Sequence, residues 1–192
     1  MSTVSVRPKL IVAAAAAIVA FSLPLRAQDT APDAADGIAD LLAQLEQADP
    51  AEAKRIDRQI KMKWANSGSA SMDLLLKRGR EAMERGDLDM AADHLTALID
   101  HAPDFPEAWH QRASVWFQMG RYGLALSDLE HALTLNPNHY EALFGLGVIM
   151  EQLDRPELAY RAYDLVQRMH PHYLEAAEAM KRLETQVQGR KL

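Results

Sequence analysis

The sequence predicts an all-α protein, a short α-solenoid of three helix pairs with a degenerate helix pair before them and a capping helix after. Three observations carry this reading. Pro103, Pro137 and Pro171 are evenly spaced, and Ala91, Ala125 and Ala159 keep the same step. Small residues at Gly79, Ala113 and Gly147 repeat in phase with large ones at Leu95, Leu129 and Tyr163. Between them, the polar stretches "ERGDLD", "QMGRYG" and "QLDRPE" each separate two amphipathic segments. Four columns in phase over three units describe stacked helical hairpins whose helices approach closely at tiny side chains.

The elements follow in order. Residues 1–27 read as a secretory signal peptide: Arg7 and Lys9 precede an apolar run, Leu10–Leu23, and Pro24, Arg26 and the small Ala27 end it. The run is shorter than the roughly 20 residues that span a bilayer, so cleavage before Gln28 is expected rather than anchoring. The Ala-rich leader implies export to a bacterial periplasm. Residues 28–37 form an acidic, small-residue linker expected to stay flexible.

Residues 38–70 hold two amphipathic stretches, with Ile38, Leu41, Leu42 and Leu45 on the first and Ile56, Ile60 and Trp64 on the second. Asp49, Pro50 and Glu52 mark the second one's start. Leu45 and Asp57 stand where the glycine and alanine columns would fall, so the pair is read as a degenerate repeat capping the array. The alternative is that it folds back, or swaps onto a second copy. Full units then occupy 72–105, 106–139 and 140–173. Gly86 and Gly120 supply permissive backbone at the turns, and Asp154 is read as a cap before Pro156. Residues 174–192 give a capping helix and tail. Leu174, Ala177, Met180 and Leu183 face the array there, and Glu178, Lys181, Arg182 and Glu184 face water.

The middle unit, Pro106–His139, aligns Trp109, Ala113, Gly120, Tyr122, Ala125, Ala132 and Pro137 in one register. In these residues the chain resembles the tetratricopeptide repeat (TPR) family. The flanking units depart from that pattern at Ala82, where a bulky residue is usual, at Arg78 for leucine, and at Asp154 for the turn glycine. The resemblance implies a right-handed solenoid with a concave peptide-binding face. On that face the candidate groove residues are Leu76, Arg80, Met83, His110, Ser114, Phe117, Phe144 and Val148, an apolar patch with polar handles. Members that grip the C-terminal carboxylate of heat-shock proteins use Lys, Asn and Arg at set positions. The corresponding places here hold Leu76, Arg80, Gln111, Glu141 and Gly145, so no carboxylate clamp is expected. An amphipathic helix or an extended apolar peptide suits the face better.

Composition narrows the function. The leader holds three of the 21 basic residues and no acid, which leaves 18 against 27 acidic ones in Gln28–Leu192, a net of −9. A nucleic-acid partner is disfavoured. With no cysteine, stability rests on packing without disulfides. The histidines, including His139, His170 and His172, are read as turn residues in solvent rather than metal ligands. Ser114 and Ser127 fall within repeat helices, and no catalytic constellation or cofactor motif is present. The expectation is a non-catalytic periplasmic scaffold or adaptor that binds a peptide or helix of an envelope protein. The alternative is a structural homodimer through the groove or the N-terminal helix pair.

Overall fold

The computed structural model describes residues 32–189; the leader expected at 1–27 and residues 28–31 of the linker lie outside them. Every described element is a helix: α1 (Pro32–Gln47), α2 (Pro50–Trp64), α3 (Ala70–Glu84), α4 (Leu88–His101), α5 (Pro106–Gln118), α6 (Tyr122–Leu135), α7 (Tyr140–Gln152), α8 (Pro156–Met169) and α9 (Leu174–Gly189). They pack as sequential pairs, α3 on α4, α5 on α6 and α7 on α8, and α9 lies against α8.

The small-residue columns mark the helix crossings, as their spacing predicts. A Cβ added to Gly79 would lie 2.7 Å from Leu95 Cγ, and one added to Gly147 would run into the Tyr163 ring. Ala113 and Leu129, at the same places in the middle pair, are both buried. Each hairpin therefore closes where a bare or methyl-sized position on its first helix meets a large side chain on its second. The turn positions also correspond: Gly86 and Gly120 take φ of 77° and 71°, and Asp154 takes 53° in the third pair. Asp154 thus serves as the left-handed turn residue, and the cap position of α8 falls on Arg155.

Three further expectations need correcting. Helix α1 begins at Pro32 rather than Ile38, so residues 32–37, expected as linker, are helical. On α9 the buried positions are Ala176, Ala179 and Leu183, while Leu174 is exposed, so its inward face is turned from the one expected.

The third concerns α1 and α2, which do not extend the array at its first pair. They fold back onto its far end. Leu45, Ala53, Ile56, Ile60 and Trp64 share one core with Tyr140, Tyr163, Val166 and Leu183 of α7, α8 and α9. Asp49 caps α2 by accepting from the Ala51 and Glu52 N–H groups, both at 2.9 Å. Along α2, Asp57 accepts from the Tyr140 hydroxyl at 2.7 Å, Lys61 pairs with Glu141 at 2.9 Å, and Trp64 stacks on His139 at 4.2 Å. The apolar stripe required a partner. Tyr140, buried and aimed at Asp57, supplies the recognition that a repeat neighbour would otherwise give.

Candidate peptide-binding groove

Helices α5 and α7 are neighbouring first helices of their pairs, and the seam between them is open. It encloses a cavity of about 410 Å³ lined by His110, Ser114, Phe117, Phe144, Val148 and Tyr173, with Ala113, Leu129, Gly145 and Ile149 also against it. The aromatic walls are held in place. Phe144 packs on Tyr163 and Tyr173, with ring centroids 5.4 and 5.1 Å away, and Phe117 packs on Tyr122 at 5.6 Å. Ser114 donates to the His110 carbonyl of its own helix at 3.2 Å, so its hydroxyl is spent locally and is not an activated nucleophile. A second cavity, of about 450 Å³, shares Phe144 and Val148 with the first and continues between α7 and α9 past Glu151, Glu175, Glu178 and Arg182.

Five of the eight groove residues expected from sequence therefore come together: His110, Ser114, Phe117, Phe144 and Val148. The other three do not join them. Leu76 is 2% exposed and belongs to the core of α3, α4 and α5, against which Ala65 of the α2–α3 connection also packs. Met83 is half-buried against the same core. Arg80 is held by the Glu107 carboxylate.

That carboxylate closes the seam between α3 and α5. Glu107 is 3% exposed and accepts from the Arg80 guanidinium, from Gln111 Nε2 at 2.8 Å and from His139 Nε2 at 3.0 Å. His110 Nδ1 lies 3.6 Å from its second oxygen, without a hydrogen-bond partner of its own. Burial alone would raise the Glu107 pKa, but His110 and His139 outweigh it and hold the group well below the usual carboxylate range. Burial likewise pulls His110 down, yet the adjacent carboxylate prevails and raises it. At His139 burial prevails over the Glu107 hydrogen bond, and its pKa is lowered.

Glu107, His110 and His139 bring three donor atoms within 4.8 Å of one another, a spacing that invites a metal ion. Their chemistry opposes one. His139 Nδ1 accepts from the Ala142 N–H at 3.3 Å, which places the ring proton on Nε2 and makes that atom a donor to Glu107 rather than a ligand. The Arg80 cation already occupies the same carboxylate. The cluster is a polar clasp joining the three helix pairs.

Sequence reasoning missed Glu107 and His139. Contrary to the expected turn histidines in solvent, His139 is 0% exposed and His170 is buried as well; His110, expected in the groove, is also buried. The signal for His139 was its column: one repeat away on either side stand Phe105 and Tyr173. A polar residue among aromatics is a buried polar residue in need of a partner.

Residues 106–139 match the tetratricopeptide repeat family. A TPR repeat-containing protein of Rhizobium etli is 33% identical over 150 residues, 78% of this chain and 74% of that protein. Among solved structures, the first TPR of Spaghetti (RPAP3) bound to the HSP90 peptide SRMEEVD aligns with a TM-score of 0.59. It is 26% identical and covers 61% of this chain and 93% of that one. MamA aligns with a TM-score of 0.58 at 20% identity over 78% of this chain and 85% of that one, a likeness of fold.

Proposed function

Because the chain belongs to the tetratricopeptide repeat family, whose domains are generally peptide-binding interaction modules, we propose that it is a non-catalytic periplasmic adaptor that holds a segment of an envelope protein in the α5–α7 groove. The observation that carries this is the open apolar cavity walled by Phe117, Phe144 and Val148. Apolar surface left uncovered in a groove between packed helices marks a site of association. At about 25 cal/mol per Å² of apolar area, two or three buried anchors support micromolar binding after the ordering cost. The periplasmic setting rests on the leader pattern at 1–27. Self-association through the N-terminal helix pair is the weaker reading, since the apolar stripe of α2 is spent within the chain.

The test is photo-crosslinking in the periplasm from a reactive side chain placed at position 117 or 144, with the exposed position 124 of α6 as control. Capture of one defined envelope protein from 117 and 144 but not from 124, lost when the other wall residue is changed to Asp, is the expected result. Equal capture from all three positions would refute the groove.

A further inference from the structure

Helix α9 is more than a cap. The groove stripe recurs once per repeat as four columns. The first is Asp73, Glu107, Glu141 and Glu175; the second is Leu76, His110, Phe144 and Glu178; the third is Arg80, Ser114, Val148 and Arg182; the fourth passes through Met83, Phe117 and Glu151. Helix α9 carries the last members of the first three, and they line the second cavity beside Phe144 and Val148. The groove thus has an apolar end between α5 and α7 and an acidic end between α7 and α9.

The charges there are unbalanced. Across the two cavities stand four carboxylates, Glu141, Glu151, Glu175 and Glu178, against one guanidinium, Arg182. Arg182 is already committed to Glu151, with both oxygens within 2.9 Å, and Glu151 also accepts from the Tyr163 hydroxyl. Lys61, which reaches Glu141, is shared with Asp57 at 3.3 Å. Glu175 and Glu178 are exposed and make no ion pair or hydrogen bond among the described residues. Arg80, the one basic groove residue upstream, is consumed by Glu107.

We propose that the segment held in this groove is basic: a bulky apolar side chain seated between Phe117 and Phe144, with Lys or Arg over Glu175 and Glu178. This rests on the groove reading above and adds the charge of the partner to it. Adjacent packed helices lie about 8–10 Å apart, which an extended chain spans in about three residues. The recognised pattern is therefore an aromatic or leucine followed or preceded, at about that separation, by a basic residue. An acidic peptide such as the SRMEEVD held by the Spaghetti (RPAP3) domain meets like charge here and is rejected.

The experiment uses three fluorescein-labelled peptides on the purified chain, read by anisotropy at low and high salt. They share one Phe-Leu core and carry Lys, Gln or Glu at the flanking positions. Exposed pairs contribute little each, so the Lys peptide should bind about 3- to 10-fold tighter than the Gln peptide, and the Glu peptide correspondingly weaker. The preference should fade at high salt and reverse in the Glu175→Lys/Glu178→Lys variant, whose changes break no hydrogen bond or ion pair among the described residues. Equal affinity for all three peptides overturns the charge assignment while leaving the groove intact. A Lys preference that survives in the variant overturns the role given to these two glutamates. Binding of none of the three, with the chain folded by circular dichroism, overturns the charge assignment and the groove together.

Discussion

The two seams between first helices have the same backbone origin and opposite character. Between α3 and α5, Glu107 gathers Arg80, Gln111 and His139 and fills the space with hydrogen bonds. Between α5 and α7, one repeat further on, Phe117, Phe144 and Val148 leave a cavity of about 410 Å³. The glycine and alanine columns build both hairpins alike. What differs is the groove stripe, where Glu107 meets a cation and two histidines and its equivalent Glu141 is drawn aside by Lys61 of the folded-back helix. A solenoid can thus close one seam for stability and leave the next open for a partner without altering its scaffold.

The comparison is broken most severely from outside, at Trp64. Its ring backs His139 and is 7% exposed. Trp64→Ala should cost about 3–5 kcal/mol, measured by urea unfolding, and should loosen α2 from the array. A loss under about 1 kcal/mol would mean that α2 is not anchored there.

Next comes the clasp itself. Glu107→Gln leaves Arg80 and His110 facing a neutral group and should cost about 3 kcal/mol, the low end for breaking a buried pair because Arg80 is partly open to water. Its pH signature is separable. His110 is raised above 6.5, so its contribution is complete below that pH and is lost as pH rises through the folded value. His139 is lowered, so its contribution is complete above 6.5 and is lost as pH falls. Glu107 is lowered as well, and its share disappears in acid, below 4.5. Unfolding series from pH 4 to 9 should therefore show an alkaline decline in the wild type that is absent in Glu107→Gln. An identical decline in both proteins would contradict the assignment.

The smallest stability effect belongs to the open seam. Phe117 is only partly buried, facing the cavity, and Phe117→Asp should cost about 1–2 kcal/mol, less than Glu107→Gln, while removing peptide binding. A loss as large as that of Glu107→Gln would place Phe117 in the core and sink the contrast.

How much of this was legible follows from what periodicity encodes. Columns such as Gly147 against Tyr163 report a contact between the two helices of one hairpin, so the hairpins could be read directly. The groove between α5 and α7 was legible for the same reason, since Phe117 and Phe144 stand in equivalent stripes. The clasp was not: the column of His139 speaks for its burial, but its pairing with Glu107, 32 residues earlier, is announced by no repeat column. The docking of α2 was half legible: Ile56, Ile60 and Trp64 say that a face must be covered, but an apolar stripe does not name its cover. Leu76 misleads because a place in the groove stripe does not guarantee exposure, and here the α2–α3 connection packs over that core.

The asymmetry of the two seams is tested most directly by nuclear magnetic resonance on the isotopically labelled chain, titrated with the Lys-flanked Phe-Leu peptide. Shift changes should concentrate at Phe117, Phe144, Val148, Glu175 and Glu178, with Leu76, Met83 and Arg80 unmoved. Changes centred on the α3–α5 seam, or spread evenly over both, would contradict the account.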